Sequence, residues 1–97
     1  MADKKRLINT IKKLISLDSQ NPPGDERLVA EYVGEYLKKL GLKVQTYIFS
    51  PKRVNLVATW AGQKREKSLL LTPHLDTVPA GASWKSPALQ PKIAGRR

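Results

Sequence analysis

Length, composition and charge limit this chain to one small globular domain. Its 97 residues are 40% hydrophobic and 27% charged, which is typical of a folded domain and excludes a disordered tail. No apolar stretch has the length needed to span a bilayer, so we expect no membrane partner, and the first residues predict no signal peptide. The absence of cysteine excludes disulfides and favours a cytoplasmic location.

The net charge of +10, from 18 basic and 8 acidic residues, raises the question of a nucleic-acid partner. The basic residues occur as scattered pairs on predicted outer helix faces and in turns, for example at 12–13, 38–39 and 52–53. A nucleic-acid module usually concentrates its charge on one face and interleaves aromatic side chains for stacking. We therefore expect a solvated surface and no specific nucleic-acid partner, with only weak, salt-sensitive binding to polyanions.

Two helices are predicted in the first half of the chain. The first covers residues 3–17, with Asp3 as its candidate N-cap. Residues 18–24 contain two prolines and a glycine, which break the helical pattern. The second helix covers residues 25–40, with acidic residues in its first turn and lysines in its last, as the helix dipole favours. Gly41 follows it, where a left-handed C-terminal cap is expected.

Three strands are predicted after the helices. Residues 42–49 and 54–60 are rich in β-branched and aromatic side chains, with a turn between them. Residues 68–72 form the third strand, and their three consecutive leucines indicate burial on both faces of a sheet. The order of two helices followed by three strands predicts an α/β fold rather than a helical bundle.

A histidine and an aspartate follow the third predicted strand. His74 and Asp76 are two residues apart, and such residues point to the same side of an extended segment. A histidine that binds a metal commonly donates its other ring N–H to a carboxylate. His74 is therefore a candidate metal ligand, with Asp76 as its partner. A histidine that simply pairs with a neighbouring carboxylate in a loop explains the same spacing.

Three segments together resemble a family of zinc amidohydrolases. Residues 69–81, Leu-Leu-Leu-Thr-Pro-His-Leu-Asp-Thr-Val-Pro-Ala-Gly, resemble the first metal-site motif of the family. The family includes acetylornithine deacetylases, succinyl-diaminopimelate desuccinylases, aminoacylases and glutamate carboxypeptidases. Residues 19–26 resemble its loop between the first two helices, and residues 55–58 resemble its early strand. The resemblance implies that residues 1–97 are a single N-terminal part, and thus an incomplete portion, of a zinc-peptidase catalytic domain.

The resemblance also implies an activity and two residue roles. Members of the family use two zinc ions and a metal-activated water to hydrolyse an amide bond in a small N-acyl amino acid or peptide. By position in the motif, His74 corresponds to a zinc ligand, and Asp76 to the catalytic aspartate that orients it. The family's bridging aspartate follows a glycine-rich segment. Residues 95–97, Gly-Arg-Arg, begin like that segment and depart from it at the third residue.

The chain contains one histidine, whereas a catalytic zinc usually takes three protein ligands. We therefore expect the 97 residues alone to bind zinc weakly at most and to be inactive. Two alternatives stay open: a non-catalytic basic binding module, and a functionless remnant of such an enzyme. A remnant of a larger sheet would expose strand edges, which favour self-association.

Overall fold

The computed structural model describes residues 3–64 and 66–95. Two helices, α1 (Lys4–Ser16) and α2 (Arg27–Lys39), precede an antiparallel hairpin of β1 (Lys43–Ser50) and β2 (Arg53–Thr59). The predicted α/β class and the order of helices before strands are confirmed. Within the described ranges, neither helix has the length and apolar character required to cross a membrane.

Helix α1 forms where it is predicted but lies outside the core. The Asp3 carboxylate accepts a hydrogen bond of 3.2 Å from the Arg6 backbone N–H and caps the helix. Ile8 and Ile11 line a cleft of about 510 Å³ together with residues of the segment 84–95. No residue of the helix is buried, so this packing is loose and contributes little to the core.

Helix α2 begins at Arg27, two residues later than predicted, because both acidic residues before it have other partners. The Asp25 carboxylate accepts bonds from the Arg27 backbone N–H at 3.2 Å and from its guanidinium at 2.8 and 2.9 Å. Glu26 is turned toward the hairpin instead. At the other end Gly41 has a φ of +92° and donates to the Lys38 carbonyl, which confirms the predicted cap.

The Asp25–Arg27 pair predicts a pH dependence. Hydrogen bonds from Arg27 lower the pKa of Asp25 to about 2, below the value of about 3.9 expected in an unfolded chain. The pair therefore stabilises the fold fully above about pH 4, and this contribution is lost as the pH falls toward 2. A carboxyl titration followed by NMR should show the low pKa. In Arg27→Gln the pKa should rise toward its ordinary value, and in Arg6→Gln it should stay unchanged.

The core lies between α2 and one face of the hairpin. Val29, Ala30 and Val54 are its buried apolar residues. A Cβ on the buried Gly34 would meet Leu56 Cδ1 at 3.5 Å and a methyl group of β1 at 3.6 Å. Both are ordinary van der Waals distances, so α2 packs against the hairpin with room for a methyl group at this position.

The prediction of a third strand at residues 68–72 is wrong. Residues 68–72 form no strand within the described part of the chain. Leu69, Leu70 and Leu71 are 80–85% exposed, although their sequence predicts burial on both faces. Trp60 is also exposed and lies beyond the end of β2. An apolar strand is buried only where other elements cover it, and the described residues place a single helix against the sheet.

These exposed leucines are the kind of surface that self-association requires, and self-association itself stays a prediction. Residues 95–97 extend beyond the described range, so their resemblance to a second motif also stays a sequence-based prediction.

The described residues share one hydrophobic core, since the buried apolar residues all belong to the α2–hairpin interface.

Candidate functional site

The two loops that the resemblance singles out lie side by side. Thr77 N donates to the Ser19 carbonyl at 3.0 Å, and Asn21 N donates to the Thr77 carbonyl at 2.8 Å. These bonds form a short parallel bridge between the α1–α2 loop and the segment after His74. The Gln20 side chain also accepts from Ala80 N at 2.8 Å. The loop before α2 therefore fixes the backbone of the histidine motif.

His74 and Asp76 contact each other, as their spacing predicts. The His74 Nδ1 atom lies 2.7 Å from the Asp76 carbonyl oxygen and 3.3 Å from Asp76 Oδ1. Because a carbonyl can only accept, this hydrogen bond requires the hydrogen to be on Nδ1. In the neutral ring Nε2 then carries the free lone pair. The side chain is 84% exposed, so Nε2 is accessible to a metal ion or a proton donor.

The Asp76 carboxylate is held from its other side by two residues. Its Oδ2 atom accepts a hydrogen bond of 3.0 Å from Asn21 Nδ2 and lies 3.7 Å from Arg53 Nη2. The Asn21 hydrogen bond is the main cause that lowers the pKa of Asp76; partial burial opposes it, and the charges of His74 and Arg53 lower the pKa further. The carboxylate is therefore ionised near neutral pH and acts as an acceptor.

Arg53 connects this carboxylate to a second, buried one. Its Nε atom lies 2.8 Å from Glu26 Oε1 and 3.1 Å from Glu26 Oε2. Glu26 is 4% exposed, and it also accepts from Val54 N at 3.3 Å. Its own backbone N–H donates to the Lys52 carbonyl at 3.2 Å. Glu26 thus attaches the start of α2 to the turn of the hairpin.

Glu26, Arg53, His74 and Asp76 all line one cleft of about 510 Å³ between the β2 side of the core and the segment 71–76. The described residues do not complete a zinc site there. Within residues 3–64 and 66–95, no three histidine or acidic side chains are grouped so that they could hold a metal ion. A catalytic zinc usually needs three protein ligands, so His74 offers one nitrogen ligand and no more.

Asn21, Glu26 and Arg53 are the site residues that sequence reasoning missed. The Asn21–Asp76 bond joins residues 55 positions apart, and the Glu26–Arg53 bond joins residues 27 apart. Local patterns cannot predict such pairs. One signal was present for Glu26: it precedes Val29 and Ala30 by three and four residues, which places a carboxylate in line with the apolar stripe of α2.

Two curated proteins are similar to this chain over most of its length. The N-formyl-4-amino-5-aminomethyl-2-methylpyrimidine deformylase of Halalkalibacterium halodurans is 28% identical over 96 residues, covering 94% of this chain and 22% of that protein. The succinyl-diaminopimelate desuccinylase of Rickettsia canadensis is 33% identical over 101 residues, covering 92% of this chain and 25% of that protein. The chain thus spans about a quarter of the length of these relatives.

No protein-family model matches the chain, and no solved structure matches it either. Both named relatives are hydrolases of acylated compounds by their names. This similarity agrees with the resemblance of the histidine motif at the level of the enzyme class.

Proposed function

We propose that this chain is the N-terminal portion of a dinuclear-zinc amidohydrolase, either a metallopeptidase or an N-acyl-amino-acid deacylase. The observation that carries this proposal is the His74 ring, whose Nδ1 atom lies 2.7 Å from the Asp76 carbonyl oxygen. That bond leaves the accessible Nε2 atom as the ligand atom, inside the motif that resembles the family's first metal site. The partial similarity to a deformylase and a desuccinylase supports the same enzyme class.

The proposed roles follow from the chemistry of the two side chains. His74 supplies one zinc ligand through Nε2, and Asp76 orients the ring from the Nδ1 side, an arrangement that also makes the imidazole a better donor. The described residues do not supply the remaining metal ligands. The reaction therefore requires groups other than those described, and the 97-residue chain alone is expected to be inactive.

The proposed substrate is a small N-acyl amino acid or peptide. The names of the two relatives describe the removal of a formyl group and of a succinyl group, and both changes fit hydrolysis of an amide between an acyl group and a nitrogen. We also propose a cytoplasmic location, since the chain contains no cysteine and needs no oxidising compartment.

Zinc is expected to bind His74 weakly. One imidazole without further ligands should give a dissociation constant of about 0.1 mM or weaker. The measurement is a zinc titration followed through the ring nitrogens of the single histidine, with Nε2 shifting more than Nδ1. In His74→Gln, which has no imidazole to follow, equilibrium dialysis should show that the binding is lost. Stoichiometric zinc that survives dialysis in both proteins, or a titration in which Nε2 does not respond, would contradict the proposed role.

The full-enzyme proposal has a separate genetic test. The coding DNA downstream of Arg97 should be read in all three frames. We expect a glycine-rich segment followed by an aspartate, and later histidine and acidic residues that complete the ligand set. Absence of these residues from every frame would leave the chain without a complete site and would overturn the proposal of a dinuclear enzyme.

A further inference from the structure

We propose that Asn21 and Arg53 are positioning residues that act on His74 through Asp76. They hold the Asp76 carboxylate so that the ring of His74 keeps its hydrogen on Nδ1 and presents Nε2 to the outside. The use of Nε2 as a metal ligand rests on the proposed function. The positioning of the ring does not, because it is a property of the chain without metal.

The two oxygens of the Asp76 carboxylate face different partners. Asn21 Nδ2 and Arg53 Nη2 lie 3.0 and 3.7 Å from Oδ2, whereas His74 Nδ1 lies 3.3 Å from Oδ1. The hydrogen bond from Asn21 and the positive charge of Arg53 beside Oδ2 oppose rotation of the carboxylate, since rotation would cost a directional hydrogen bond and a charge contact. Oδ1 is thereby kept beside the imidazole, where it adds to the shorter contact of 2.7 Å between Nδ1 and the Asp76 carbonyl oxygen.

Each positioning residue is itself held by a different part of the fold. Asn21 N donates to the Thr77 carbonyl at 2.8 Å, so the backbone bridge fixes the loop from which its amide extends. Arg53 Nε lies 2.8 Å from a carboxylate oxygen of Glu26, which is buried. Arg53 cannot turn into solvent without leaving that buried carboxylate unpaired, and an unpaired buried charge is costly.

The His74 ring therefore depends on two long-range supports. One comes from the α1–α2 loop and the other from the turn of the hairpin, through the start of α2. A ring that rotated freely could present either nitrogen, whereas a ring held by both the carbonyl oxygen and the carboxylate of Asp76 presents only Nε2. Groups that support a ligand in this way fix its orientation and its tautomer.

The test is the tautomer of His74, measured from its ring nitrogen shifts in the labelled 97-residue chain. The measurement is made without metal at about pH 9, where an ordinary imidazole is neutral. Asn21→Ala and Arg53→Gln should each lower the ratio of the Nδ1–H to the Nε2–H tautomer by no more than about fivefold, the value of one net hydrogen bond, because the bond from Nδ1 to the Asp76 carbonyl oxygen remains. Lys52→Gln removes a positive charge from the same turn without touching Asp76, and should leave the ratio unchanged.

Asp76→Asn gives the ratio reached when the carboxylate is absent. If Arg53→Gln fails to fold because Glu26 is left unpaired, the double variant Glu26→Gln, Arg53→Gln removes that buried charge and should show the same change in tautomer. A ratio in Asn21→Ala and in the foldable Arg53 variant equal to that of Lys52→Gln would overturn the inference. Because no metal is present, this result is independent of the zinc titration.

Discussion

Replacement of Glu26 by alanine is expected to lower the free energy of unfolding by about 2–3 kcal/mol. Glu26 is 4% exposed, and its carboxylate accepts from Arg53 Nε and from the backbone N–H of Val54. Its removal leaves the Val54 N–H without this acceptor beside the core. The cost should stay below that of a fully buried ion pair, because the Arg53 side chain is 41% exposed and can regain water.

Glu35→Ala is the matched control on the same helix. Glu35 lies 3.6 Å from Lys38, and both side chains are more than half exposed, so its loss should change stability by less than about 0.5 kcal/mol. Glu26→Gln should fall between the two variants, since an amide oxygen can still accept from Val54. Urea unfolding followed by circular dichroism measures all three. Equal stability of Glu26→Ala and Glu35→Ala would contradict the structural role of the buried carboxylate.

Replacement of Gly24 by alanine is expected to cost about 2–3 kcal/mol, the sum of backbone strain and a side-chain clash. Gly24 has a φ of +80°, and a Cβ there would overlap Arg53 Nη1 and lie 3.0 Å from Arg53 Cζ. The end of an arginine side chain can usually move away. Here such movement would disturb its contacts with Glu26 and Asp76, so the clash is not relieved cheaply.

Gly81→Ala separates the cost of backbone strain from the cost of the clash with Arg53. Gly81 has a φ of +78°, similar to that of Gly24, but a Cβ there would have no neighbour within 4 Å. Gly81→Ala should therefore lower the free energy of unfolding by about 1 kcal/mol, from backbone strain alone. In an Arg53→Ala background, Gly24→Ala should cost only slightly more than Gly81→Ala, because the clash with Arg53 is gone and only the contact with Asn21 Oδ1 at 3.2 Å remains. Equal costs for the two glycine variants in the wild-type background would show that Arg53 is free to move.

Both helices and the hairpin could be predicted because their signals are local. The apolar spacing of α2, its terminal lysines and Gly41 all lie within one segment, and the structure confirms the cap at that glycine. The start of α2 could not be placed as well. The residues at 25 and 26 look like ordinary acidic residues of a first turn, whereas one pairs with Arg27 and the other with the hairpin.

The third strand was predicted wrongly for a related reason. Three leucines in a row indicate burial, but burial depends on elements elsewhere in the protein that cover both faces of the strand. Within the described residues no such cover exists, and Leu69–Leu71 are largely exposed. The composition of a segment shows that its side chains are apolar enough to be buried. Whether they are buried depends on the elements that pack against them.

Local sequence is enough to predict the two helices, the hairpin and the pairing of His74 with Asp76, because each depends on residues close together in the chain. What holds that pair depends on the tertiary fold: an amide from the α1–α2 loop, and a guanidinium paired with the buried carboxylate of Glu26 just before α2. These contacts join residues 27 and 55 positions apart. Hydrogen bonds and ion pairs act over a few ångströms, so only folding makes such distant residues neighbours.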